Sequence, residues 1–212
     1  MTTIDAHAAP ERRRRGRPRG QDSAVVRDAA LRAAVDLIAR QGYSATSMTQ
    51  VAEAAGISPS GLVHHFPSKA ALLGAVLAHR DEIDSDPTEP DGRPWAAYDH
   101  LVRVAGLNMR RRGLVMLYTS MIGEAFGPEH PAHEWMMRHY SSVLEVLIEG
   151  MRADQERGVV RADAPREMIA RSVVALMDGL QVQWLIDESL DMEAMMRIHV
   201  DALKTIWGVP RS

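Results

Sequence analysis

The chain has 212 residues, of which 46% are hydrophobic and 25% charged, the composition of a folded protein rather than a disordered one. Its longest predominantly apolar stretch without charge, residues 113–123, is 11 residues long, against the roughly 20 that a membrane-spanning helix needs, and no apolar signal-peptide core follows the N-terminal arginines. The absence of cysteine excludes disulfides, thiolate metal sites and a cysteine nucleophile, so the expectation is a cytoplasmic protein with no membrane partner.

The net charge of −3 conceals an asymmetry. Residues 1–85 hold 11 Lys and Arg against 9 Asp and Glu, giving +2, whereas residues 86–212 hold 14 against 19, giving −5. Six of the 11 bases fall between positions 12 and 19. Positive charge gathered at one end suggests a polyanion contacted there, with an acidic body facing away. Residues 1–21 themselves read as a disordered basic arm, because Thr, Ala, Pro and Arg alternate without apolar periodicity.

Periodicity begins near Ser23. Val26, Ala30, Ala33, Ala34, Leu37 and Ile38 recur at helical spacing as far as Gln41, and Gly42 then supplies a helix stop that tolerates positive φ. A short helix fits 48–55 with Ser47 as its N-cap, and Gly56-Ile57 makes a turn. Ser58-Pro59 opens another helix with a capping hydroxyl and a proline at the first helical position. A fourth helix starts at Pro67-Ser68. Residues 85–94 contain three prolines and one glycine without an apolar anchor and read as a linker. Beyond it the spacing predicts helices over 95–111, 114–126, 131–157, 165–188 and 192–207, with no strand pattern of useful length.

These elements predict an all-α chain of about nine helices. A three-helix helix-turn-helix unit, residues 22–84 including a connecting helix over 68–84, is joined by that fourth helix to a helical-bundle regulatory domain over 95–212. The functional signal lies in residues 46–66, a short helix, a glycine turn and a second short helix. This arrangement suits a helix-turn-helix, whose second helix enters the major groove N-terminus first. Leu62 and Phe66, four apart, pack inward, while Ser60, Val63 and His64 share an outward face of hydroxyl, methyl and imidazole groups suited to base edges.

At this point the residues resemble a known family. The run TSMTQVAEAAGISPSGLVHHFPSKAALL, preceded by RDAALRAAVDLIARQGY, is similar to the DNA-binding domain of the TetR family of bacterial transcriptional regulators, over about 60 residues. The resemblance implies that Thr46 and Ser47 hold a phosphate at the start of the second helix and that Ser58, Ser60, Gly61, Val63 and His64 form the recognition element, with Thr49 on the DNA side. It also implies that Lys69 reaches the DNA backbone. Two positions depart from the family pattern: Val63 stands where an aromatic is usual, and Thr49 where many members carry a longer or basic side chain. Both departures remove phosphate contacts. The arm offers replacements, because its Gly-Arg-Pro core resembles an AT-hook in which Arg17 and Arg19 suit a narrow minor groove. A non-specific tether is the alternative.

In the body, the helix over 165–188 carries two apolar stripes, one through Ile169, Val173, Leu176, Leu180 and Trp184, the other through Ala170, Val174, Met177, Gln181 and Leu185. One stripe faces its own bundle and the other needs a partner. The expected homodimer interface therefore uses Val173, Val174, Leu180, Met195, His199 and Leu203, in a four-helix arrangement that the resemblance also implies. Such a two-fold dimer reads a palindrome on double-stranded DNA. Eleven of 13 methionines and all four tryptophans follow residue 86. Met121, Trp135, Tyr140, Met177, Gln181 and Trp184 are the expected lining of a largely apolar effector site. No cofactor, metal or enzymatic role is expected: His130, His133, Glu134 and His139 lack the spacing of a metal-binding helix, and no nucleophile or phosphate-loop motif is present. The reading is a TetR-like repressor released by a small apolar ligand; the alternative is an architectural or activating DNA binder with no effector.

Overall fold

The computed structural model describes residues 19–84 and 93–210, with side chains described over 23–80 and 93–210. Most of the basic arm and linker residues 85–92 lie outside the described residues. Among the described residues the chain forms nine helices and no strand, in the order α1 (Arg19–Ala45), α2 (Met48–Ala54), α3 (Pro59–His65), α4 (Lys69–Asp84), α5 (Ala96–Asn108), α6 (Arg112–Glu124), α7 (His133–Glu156), α8 (Arg166–Ile186) and α9 (Met192–Trp207). A lone antiparallel bridge between Val160 and Gly208 ties the end of α9 to the α7–α8 loop. None of the helices described is long and apolar enough to cross a membrane.

Local chemistry sets the breaks. Gly42 interrupts α1 at φ 81°, ψ 162°, a region that essentially only glycine occupies. Ser47 and Gln50 form a reciprocal cap at the start of α2: the serine hydroxyl accepts the Gln50 N–H at 3.2 Å, and the Gln50 side chain accepts the Ser47 N–H at 2.8 Å. Gly56, at φ 68°, turns the chain into α3, where the Ser58 hydroxyl accepts the Gly61 N–H at 3.0 Å. Gly61 matters here too, since a Cβ at that position would sit 3.1 Å from the same hydroxyl.

The apolar residues divide into two cores, and the division does not follow the linker. One cluster holds Ala30, Leu31, Ile38, Val51, Leu62, Phe66, Leu73 and Val76 from the first four helices together with Leu117, Tyr118 and Met121 of α6 and Met136 of α7. The second joins α5, α7, α8 and α9 through residues such as Tyr98, Leu147, Met151, Leu180 and Val200. Helix α6 therefore belongs by chain position to the body and by packing largely to the first four helices.

One expectation is corrected by this packing. Both apolar stripes of α8 face inward: Val173 and Leu180 are fully buried, and Val174 and Leu203 are nearly so, within the chain's own core. They are not available to a second copy. Met195 is exposed and His199 half-buried on α9. The stripe left outside on α8 carries Met168, Val182 and Ile186, and α9 adds Ile198 and Ile206.

The break at Gly42 is testable. Gly42→Ala should lower stability by roughly 1–3 kcal/mol, a fall in melting midpoint of roughly 2–4 °C per kcal/mol. An unchanged midpoint would show that the bend is not needed.

Candidate functional site

Helix α3 is short, and its neighbours divide it sharply into two faces. Leu62 is fully buried and Phe66, its C-cap, nearly so, which pins the inner face to α1 and α2. Ser58, Ser60, Val63 and His64 are exposed on the outer face, Gly61 is half-buried, and Val63 keeps 50% of its surface open. Ser60 and Ser58 hydroxyls lie 3.1 Å apart. His65 is half-buried and its ring meets Phe66 at 6.3 Å.

Beside this helix, Ser47 and Thr49 are exposed at the start of α2. Thr46 is not: it is buried, its hydroxyl donates to the Gly42 carbonyl at 2.8 Å and accepts from Gln41 Nε2 at 3.3 Å. The hydroxyl expected to hold a phosphate is instead spent on the α1–α2 turn. Lys69 donates to the Ser44 carbonyl at 3.1 Å and its Nζ lies 4.3 Å from the centre of the Tyr43 ring, so the cation is anchored beside the start of α2. Arg17 lies outside the described residues, and so does the side chain of Arg19.

A second feature occupies the body. A cavity of about 220 Å³, partly open to solvent, is lined by α4, α5, α6, α7 and α8. Leu101, Val104, Val143, Leu147, Val174 and Met177 form apolar walls, and Arg80, Asn108, Tyr118, His139, Tyr140, Asp178 and Gln181 supply the polar groups. Of the six residues expected to line it, Tyr140, Met177 and Gln181 do so. Met121 is buried in the core shared with the DNA-binding helices, and Trp184 in the α5–α9 core. Trp135 stacks on His139 at 5.0 Å, one layer behind the wall.

Tyr118, Tyr140 and Asp178 form one hydrogen-bonded network. Tyr118 and Tyr140 donate to the two oxygens of Asp178 at 3.2 and 2.6 Å. The guanidinium of Arg80, on α4, lies 4.5 Å from the Tyr118 ring and 5.4 Å from the Trp135 ring. Burial pushes the Asp178 carboxyl up despite the two tyrosine hydrogen bonds, and burial together with the bond to Asp178 pushes Tyr140 up to about 12. The Gln181 carbonyl oxygen is buried without a hydrogen-bond partner. Arg80, Asn108, Tyr118, His139 and Asp178 escaped the sequence reading of this site, although a lone acid inside the apolar α8 segment was a visible signal for Asp178. The neighbouring histidines are structural: His130 Nδ1 accepts the Ala132 N–H at 3.2 Å, and His133 Nδ1 pairs with the Ala125 carbonyl at 2.8 Å. No group of three metal-ligating side chains occurs among the described residues.

The cavity predicts a pH dependence. Burial, and then the charge of Arg80, push the His139 imidazole down to about 4 from its usual 6.5. Between those values the unfolded chain binds more protons than the folded one, so His139 makes stability fall as pH drops through that window. The loss between pH 7 and pH 5 is about 2 kcal/mol. Asp178 acts with the opposite sign, because its raised carboxyl gains stability as pH falls through its folded value. Denaturant unfolding at both pH values should therefore show a shallower decline in His139→Phe than in the parent; equal declines would remove His139 as the cause.

Comparison with known proteins agrees with this geometry. Residues 30–76 match the family model described as bacterial regulatory proteins, tetR family. The chain is 25% identical over 152 residues to the transcriptional regulator UidR of Escherichia coli K12, covering 71% of this chain and 76% of UidR. Among solved structures, NalD of Pseudomonas aeruginosa, the secondary repressor of the MexAB-OprM multidrug efflux pump, superposes with a TM-score of 0.68 at 21% identity, over 90% of this chain and 100% of NalD. SmeT in complex with triclosan superposes with a TM-score of 0.72 at 16% identity, over 88% of this chain and 96% of SmeT. Matching residues thus lie where the exposed helix and its cradle sit, and the nine-helix architecture is shared along most of the chain. Residues 30–76 resemble the tetR family of bacterial regulatory proteins, the chain is similar over 71% of its length to a transcriptional regulator, and its fold is that of the solved structures of NalD and SmeT.

Proposed function

We propose that the chain acts as a homodimeric repressor that binds a palindromic operator and is released when a small, uncharged, largely apolar effector occupies the body cavity. The observation that carries this reading is the two-sided state of α3: Leu62 locks one face into the core while Ser60, Val63 and His64 stand open on the other. Ser47, Thr49, Ser58 and Gly61 border the same face, Lys69 supplies a backbone cation, and Arg17 and Arg19 of the arm extend the contact into the minor groove.

Dimerisation rests on α8 and α9. Met168, Val182, Ile186, Met195, Ile198 and Ile206 keep between 41% and 84% of their surface exposed on these neighbouring helices. So much exposed apolar surface on two adjacent helices favours a partner, and a second copy presents the same surface under two-fold symmetry. NalD, a repressor by name, supports the direction of regulation.

The effector class follows from the cavity. An apolar cavity of ~150 Å³ accommodates benzene, so about 220 Å³ suits a single ring with a short substituent. Arg80 and Asp178 oppose one another in charge, and His139 stays neutral, which favours an uncharged molecule. SmeT, which shares this fold, is known in complex with triclosan and supports a small-molecule effector. Such a ligand weakens DNA binding only through higher affinity for the protomer arrangement that mismatches the groove spacing.

Selection of bound duplexes from a random pool should return a palindrome, and repetition with candidate effectors should lose it; a pool without two-fold symmetry contradicts the reading. On the selected duplex, Ser60→Ala or His64→Ala should cost roughly 1–3 kcal/mol at particular base pairs, whereas Lys69→Ala should weaken all sequences alike. The paired change Ile186→Glu and Ile198→Glu should halve the mass in sedimentation equilibrium and abolish the palindromic footprint; an unchanged dimer would move the interface elsewhere.

A further inference from the structure

A polar contact links the body to the DNA-binding helices at the end of α6. Glu124, the last residue of that helix, accepts the backbone N–H of Tyr43 at 3.2 Å through Oε1 and that of Ser44 at 3.4 Å through Oε2. Both donors follow the interruption at Gly42, where the regular helix pattern is broken. The fit is close, since a Cβ on Gly42 would lie 2.7 Å from Glu124 Oε1. His130 Nε2 lies 3.9 Å from the other carboxylate oxygen, and its ring meets the Tyr43 ring edge-on at 5.1 Å.

The same two residues are held from the DNA-binding side by Lys69. Its ammonium donates to the Ser44 carbonyl at 3.1 Å and lies 4.3 Å from the Tyr43 ring centre. Ser44 therefore receives Glu124 on its N–H and Lys69 on its carbonyl. An acidic side chain in the last turn of α6 opposes the negative end of that helix's own dipole, so its position does nothing for α6 itself. It is accounted for by the turn it holds.

We infer that Glu124 is a positioning residue for DNA binding: by fixing Tyr43 and Ser44 it sets where Lys69 meets the phosphate backbone. The inference rests on the proposed phosphate contact of Lys69. Tyr118, in the wall of the cavity, lies on the same helix six residues earlier. At 1.5 Å per residue, about 9 Å of continuous helix separates the cavity from the turn.

The test is a double-mutant cycle on the full chain, with the duplex selected by the parent protein and affinities measured across a salt series. Lys69→Ala should lower affinity and reduce the slope of log K against log salt by about 0.9, the loss of one phosphate contact. Glu124→Ala should lower affinity several-fold and reduce the slope in the same direction, and the double variant should be no weaker than Lys69→Ala alone. Glu124→Gln, which keeps one acceptor oxygen, should fall between parent and Glu124→Ala, and it serves as the readout if the alanine variant loses its helical circular dichroism. A merely structural role would move the melting midpoint and leave the salt slope intact. If Lys69→Ala shifts the slope while both Glu124 variants keep the parental one, or if the two losses add in full, the positioning role is overturned. If Lys69→Ala itself leaves the slope unchanged, the Lys69 contact fails and this inference with it.

Discussion

The packing of α1 against α6 is the constraint on which the rest of the structure depends. Ala30, Leu31, Ala34 and Ile38 of α1 are buried in one apolar cluster with Leu117, Tyr118 and Met121 of α6. A three-helix DNA-binding unit of this size buries little surface by itself and is marginal as an independent fold. Sharing a core with α6 stabilises it and also denies it independence. Whatever displaces α6 must repack the cluster that supports α3.

This arrangement explains how a buried site and an exposed helix belong to one device. Tyr118 belongs to the shared core, its hydroxyl reaches Asp178 in the cavity wall, and Arg80 of α4 lies against its ring. The cavity thus has two walls contributed by elements that also touch the DNA-binding helices. Close-packed interiors respond to an added group by switching between arrangements rather than by deforming smoothly. Under the proposed function, a ligand that prefers one arrangement would bias α3 through this shared packing.

Much of this was legible in the residues. The helix registers follow from apolar spacing, and the short helices announce themselves through Ser47, Gly56 and Ser58-Pro59, whose roles are local and therefore visible within a few positions. The inward set of α3 was equally plain, because Leu62 and Phe66 are four apart. What escaped depends on contacts between distant segments. Thr46 presents the same hydroxyl whether it faces a phosphate or the Gly42 carbonyl. On α8 the outward stripe passes through Ser172, Ala175 and Gly179 between Met168, Val182 and Ile186, small residues that dilute its apolar signal, while the richer stripes through Val173 and Val174 turn inward. Arg80, read as part of a connecting helix, gains its role only when Tyr118 and Trp135 arrive from 38 and 55 residues further along. Glu124 likewise had no local signal, since its partners precede it by about 80 residues.

The first four helices share their core with the body rather than standing on a separate one. Expressing residues 1–84 alone and following thermal unfolding by circular dichroism tests it most directly. The fragment should be weakly helical with no cooperative transition, because the apolar faces of α1 and α4 lose Leu117, Tyr118 and Met121. A fragment that melts cooperatively at the temperature of the full chain would contradict it.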